Sequence, residues 1–94
     1  MIVGLCKIKL RAPESQSLKQ KRSVVKSLVA KLRRKFNISV SEIENQDSWQ
    51  MITLGISSVS SSQAHIHQIF NNIILFIEKE RLDAEILDYE IELI

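Results

Sequence analysis

Glycine, proline and cysteine are almost missing from these 94 residues, which contain two, one and one of them. So few chain breakers, with 45% apolar and 26% charged residues, exclude a disordered tail and describe an ordered globular chain. The lone thiol, Cys6, excludes an internal disulfide. No apolar run of about 18 residues and no positive-apolar-small leader is present, so the expectation is a cytoplasmic protein without a membrane partner. The length suits one domain, residues 1–94, and excludes a two-domain enzyme. Aromatics are scarce at 5%. Acids are scarce in one half: residues 1–41 hold eleven Lys and Arg but only Glu14, whereas the rest holds ten acids against Lys79 and Arg81. Eleven cations and one acid give +10, and two cations and ten acids give −8, a polarity hidden by the overall +2.

The apolar residues that are present recur with clear periods. Ile2 to Arg11 alternates, with Ile2, Gly4, Cys6, Ile8 and Leu10 on one parity, which predicts a half-buried strand. Pro13 then ends it, since proline donates no ladder hydrogen bond. Ser17 with Gln20 reads as a capping box, and Leu18, Val25, Leu28, Val29, Leu32 and Phe36 predict a helix of roughly 18 residues ending near Asn37. Ile38–Glu44, a polar turn at residues 45–48, and Trp49 to about Val59 predict a hairpin, with Gly55 as a candidate bulge. Ile66, Ile69, Phe70, Ile73, Ile74 and Ile77 predict a second helix to about Arg81, capped by one of Ser57, Ser58, Ser60, Ser61 and Ser62. Ala84 to Ile94 alternates again as a fourth strand.

The order βαββαβ is the ferredoxin-like, split βαβ arrangement of the α+β class. Right-handed crossovers place both helices on one face of an antiparallel sheet ordered 4-1-3-2. The first and last strands would then be neighbours, setting Lys7, Lys9 and Arg11 beside Asp88, Glu90 and Glu92 on the open face.

No combination of residues looks catalytic. Gly-rich phosphate loops, Ser-His-Asp sets and metal clusters are missing, so neither enzyme activity, cofactor nor metal is expected. His65 and His67 are two apart, which turns them about 200° from each other on a helix and prevents shared coordination. Cys6 lies on the core parity and reads as a buried, inert thiol. The strongest functional signal is the first helix. Its candidate phosphate contacts are Lys19, Lys21, Arg22, Lys26, Arg33, Arg34 and Lys35, with Ser15, Gln16 and Ser17 as further donors at its N-terminus. The other reading of these charges is a solvated face partly neutralised by the acidic second half. An RNA-recognition motif shares this fold order but stacks bases on sheet aromatics, which are missing here; RNA would have to meet the helix. Val3, Leu5, Trp49 and Met51 form a candidate apolar patch on the open sheet, which suggests a homodimer or another protein partner.

The residues also carry a resemblance. The start MIVGLCKIKLRAPESQSLKQKRSVVKSLVAKLRRKFNISVSEIE, the strand DSWQMITLGISSVS and the ending LDYEIELI resemble the YlxP-like family of small bacterial proteins of unknown function, over essentially the whole chain. The most specific part runs from Ser17 to Phe36 and on through Asn37, Val40, Glu42 and Trp49-Gln50. Ser57 to Ser62 departs from the family's more charged helix start. The resemblance implies a ferredoxin-like fold and no established catalytic residue. Family members are often encoded beside translation-initiation and ribosome-maturation factors, which implies a role near the ribosome or its RNA.

Overall fold

The structure, a computed structural model, describes residues 1–81 and 83–94. Its elements are β1 Ile2–Arg11, α1 Leu18–Lys35, β2 Ser39–Glu44, β3 Met51–Ser60, α2 Gln63–Glu80 and β4 Glu85–Leu93. The strands form one antiparallel sheet in the order β2-β3-β1-β4, with β2 and β4 as its edge strands. This is the predicted βαββαβ arrangement.

Alternation decides which face is dry. Cys6, Ile8 and Leu10 of β1 lie opposite Ile56, Leu54 and Ile52 of β3, and all six are buried. Val25, Leu28 and Leu32 of α1, with Ile66, Phe70, Ile73, Ile74 and Ile77 of α2, complete the core. Gly4 sits on this face because a Cβ there would strike Ile66 and Phe70, so α2 packs on bare backbone.

The helix ends follow their caps. The Ser17 hydroxyl accepts from the Gln20 amide at 3.1 Å, but the Gln20 side chain accepts from the Gln16 amide at 2.7 Å, one residue before the capping-box position. Phe36, in extended geometry, closes α1 by donating its amide to the Leu32 carbonyl, so the helix ends just before Asn37 as predicted and without a left-handed residue there. Among the serines, Ser62 caps α2, accepting from the His65 amide at 3.3 Å.

β3 starts two residues later than predicted, since the Ser48 hydroxyl accepts from the Gln50 and Met51 amides and keeps the turn running to Gln50. Gly55 is not a bulge. The register slips opposite β3, between Glu42 and Glu44 of β2, and Ile43 folds over the space that Gly55 leaves. A second slip, opposite Lys9 and Leu10, lies in the β1–β4 ladder.

Candidate nucleic-acid interface

The dense like charges of α1 raise the question of how the helix holds. Four exposed like-charged pairs stand at three- or four-residue spacing: Lys19/Arg22, Arg22/Lys26, Lys31/Arg34 and Lys31/Lys35. At about 0.2–0.5 kcal/mol each they cost roughly 1–2 kcal/mol. Burying Val25, Leu28 and Leu32 contributes about 1.5–3 kcal/mol apiece. Core packing wins, and the helix needs no anionic partner to form.

Six of the seven sequence-nominated cations are exposed: Lys19, Arg22, Lys26, Arg33, Arg34 and Lys35. Lys19, Arg22, Lys26 and Arg33 recur at spacings of three, four and seven, which places them along one flank over ~21 Å of helix at about 1.5 Å per residue. Arg33 also donates to the Val40 carbonyl at 3.0 Å, so this flank runs beside the β2 edge. Lys31, a cation of the same helix outside the seven candidate contacts, is exposed as well and belongs with the set. The ion pairs among the described residues are Lys7–Glu44, Arg11–Glu85, Lys21–Glu42 and Arg81–Asp83, and none involves these exposed cations.

Lys21 is a correction. It is fully buried, its ammonium 2.6 Å from Glu42 Oε2, 2.9 Å from the Asn45 carbonyl and 3.3 Å from that of Gln46. It faces inward because it shares the helical stripe of Val25, Leu28 and Leu32, and no phosphate reaches it. The donors proposed at the helix N-terminus are also engaged internally. The Ser15 hydroxyl donates to the Ser17 carbonyl and the Gln16 amide to the Gln20 side chain, while the Ser17 hydroxyl is held in place as the acceptor of the Gln20 amide.

The apolar patch does not assemble as expected. Val3 and Leu5 pair with Val59 and Ser57 at one end of the sheet, whereas Met51 lies opposite Arg11 at the other, with Trp49 beyond it. Eight residues separate Val3 from Arg11, ~26 Å at about 3.3 Å per residue, and Lys7 and Lys9 stand between. Trp49 is 60% exposed at its own end.

On the open face the charge rows meet in part. Lys7 lies opposite Glu90 and Lys9 opposite Asp88, but the β4 slip brings Arg11 to Glu85, and Glu92 falls opposite Leu5. Lys7 nevertheless reaches across β3 to Glu44, 2.8 Å away, because Gly55 opposite it carries no side chain. That hydrogen bond, reinforced by the carboxylate charge, raises the Lys7 pKa against a desolvation cost; it lowers that of Glu44, with the charges of Lys7 and Lys9 adding to it. A groove of about 450 Å³ opens here over Gly55, between Leu5, Ile43, Ser39, Ser41 and Ser57. The run of small residues at open positions was its sequence signal. Cys6 is buried on the opposite parity, and desolvation pushes its thiol pKa up to about 11, so it is not poised as a nucleophile.

A second hollow, of about 320 Å³, lies where α1 ends against α2. Lys35, Phe36, Asn72, Leu75, Phe76, Lys79 and Glu80 line it. The rings of Phe36 and Phe76 meet edge to face at 5.9 Å, and the Lys35 ammonium sits 5.2 Å from the Phe76 centroid. Sequence reasoning missed this constellation because its residues come from two helices 36 or more positions apart. No group of three metal-ligating side chains is found among the described residues, and none of their helices is long and apolar enough to cross a membrane.

A family model described as "Protein of unknown function (DUF503)" matches residues 3–91. The chain is 35% identical over 77 residues to the uncharacterized protein YlxP of Bacillus subtilis (strain 168), covering 82% of this chain and 84% of that protein. Two designed proteins share the fold at 15% identity. One, with a ferredoxin fold, superposes with a TM-score of 0.58 over 100% of this chain and 84% of its own; the other, Foldit4, does so with 0.53 over 98% and 96%.

Proposed function

The chain belongs to the DUF503 family of proteins of unknown function, and from that premise we propose that it is a non-enzymatic accessory protein docking on structured RNA or a ribonucleoprotein through the exposed face of α1. One observation carries the reading: Lys19, Arg22, Lys26, Lys31, Arg33, Arg34 and Lys35 are all exposed on one helix and have no acidic partner within ion-pair distance among the described residues. Such a strip takes phosphates with little regard to sequence, and its affinity depends steeply on salt. The resemblance described above adds the ribosome as the place to look.

The test is fluorescence anisotropy with small-subunit ribosomal RNA, titrated over salt and competed with unrelated RNA of equal length. With about four to six phosphate contacts, log affinity should fall by roughly 3–5 per tenfold salt. Charge reversal of Arg22 and Lys26 should weaken binding and flatten that slope by about 1.5–2. Unchanged affinity in that variant would remove the proposal.

A second reading is favoured by the groove over Gly55, lined by Leu5 and Ile43, and by the separately exposed Val59 on the uncovered sheet. It is a homodimer through this face, now centred on Leu5 and Ile43 rather than Trp49. Light scattering of the protein and of Leu5→Glu at high concentration checks it: a dimeric mass that the substitution halves is expected, and a monomeric mass for both removes it.

A further inference from the structure

The hollow between the ends of α1 and α2 is unlike the rest of the basic surface. Elsewhere the charged side chains that α1 exposes are all cations, with no aromatic ring among them. Here two half-buried aromatic rings, an exposed leucine and a side-chain amide are grouped under a cationic rim. Leu75 is 62% exposed on the outer side of α2, where the helical stripe Ile66, Phe70, Ile73 and Ile77 has no use for it. Phe36 and Phe76 are only partly covered. The ammonium over Phe76 marks a ring face within reach of solvent and attractive to electron-poor groups.

Resting on the RNA reading, we propose that this notch takes one unpaired nucleobase of the bound RNA. The base lies against Phe76 and Leu75, the Asn72 amide addresses its polar edge, and Lys35 and Lys79 hold the flanking phosphates. Each part has a physical basis. Bases pack on aromatic and apolar side chains with little sequence preference, because every base has a π-face. An asparagine amide offers both a donor and an acceptor, the pairing a base edge presents. Entry of the base displaces the Lys35 ammonium from the ring, and a phosphate then receives it. The volume, about 320 Å³, lies at the small end of ligand sites and suits a single base rather than a dinucleotide. Glu80, the one acid on the lining, opposes phosphate on its own side and leaves Lys35 and Lys79 to set the strand's path.

Charge and continuity favour a nucleic-acid strand as the occupant. The notch includes Lys35, and exposed Lys31 stands one turn before it with Arg34 alongside, so the cations of α1 on this side continue to its edge. Its apolar wall gives the sequence-independent strip a way to distinguish unpaired from paired RNA.

Three RNA hairpins of equal phosphate count test the inference by anisotropy: a fully paired stem, the same stem with one bulged adenosine, and that stem with an abasic site at the bulge. The full-length protein should bind the adenosine bulge about tenfold more tightly than the other two. That ratio should change little with salt, since stacking releases few counterions. Asn72→Ala and Leu75→Ser, both charge-neutral and outside the core, should bring the ratio close to one while affinity for the paired stem and its salt slope stay within twofold. Phe76→Ala should do the same wherever its thermal melt shows a folded protein. Equal affinity for adenosine and abasic bulges, with the paired stem still bound, would overturn the base site and leave the docking proposal standing. Failure to bind any of the three would overturn both.

Discussion

A lysine ammonium has three N–H donors, and at position 21 all three find acceptors inside the protein: the Glu42 carboxylate and two carbonyls of the β2–β3 turn. That turn bends at Asn45, whose φ of 64° is the only left-handed value among the described non-glycine residues, and whose side chain accepts from the Thr53 hydroxyl at 2.7 Å. Lys21 thus pins α1 to the hairpin. Removing one partner of a buried pair strands the other, at about 3–5 kcal/mol. The low end applies because Glu42 keeps 15% side-chain exposure. Lys21→Ala should therefore lower stability in urea by about 3 kcal/mol, and Lys21→Met combined with Glu42→Leu by clearly less. RNA affinity of the folded Lys21→Ala protein should match the parent, whereas a loss equal to that of Arg22 and Lys26 reversal would show that Lys21 does reach phosphate.

At the scale of elements, the short strand β2 is held from two sides. Glu42 points to the helices and pairs with Lys21, while Glu44, two residues on, points to the open face and pairs with Lys7 across β3. The slip at Ile43 sets this second orientation, and bare Gly55 gives Lys7 its path. Because the Glu44 pKa is depressed in the folded protein, its contribution is present above the unfolded value and lost as pH falls through the folded one. The Lys7 pKa is raised, so its contribution is present below the unfolded lysine value and lost as pH rises through the folded one. The tie therefore operates between the carboxylate and lysine titrations. Titration of the Glu44 carboxyl followed by NMR should give a midpoint below its ordinary 4.5, and Lys7→Met should move it back up. A midpoint indifferent to that substitution would show that the pair does not persist in solution.

Across the whole molecule the charges are segregated by layer as well as by sequence. On the sheet, the cations of β1 lie among the acids of β4 and β2 and are largely balanced; on α1 they face water unbalanced. On the two readings proposed, a polyanion would meet the helical side and a second copy the sheet side, so they concern different surfaces. The radius of gyration of 13.1 Å agrees with about 12–13 Å for a compact chain of this length. Small-angle scattering should return close to that value with a single-chain mass for a monomer. A clearly larger radius with doubled mass would favour the sheet-face dimer, and RNA should leave that dimer intact because the surfaces are separate.

The sequence by itself determined the element order, the core and the charge polarity, because alternation, helical periodicity and caps such as Ser17 act between near neighbours. The sheet order followed too, since crossover handedness leaves few alternatives. The basic helix was legible as a list of residues, but which of them face water was not. Lys21 looks like any other cation until the turn at Asn45 brings it an acid and two carbonyls, a long-range arrangement no local period encodes. Trp49 and Val3 shared a parity and still lie at opposite ends, because parity fixes the face of a sheet and only register fixes position along it. The aromatic notch exists because tertiary packing set the end of one helix against the flank of another, and only that contact brings Phe36 to Phe76.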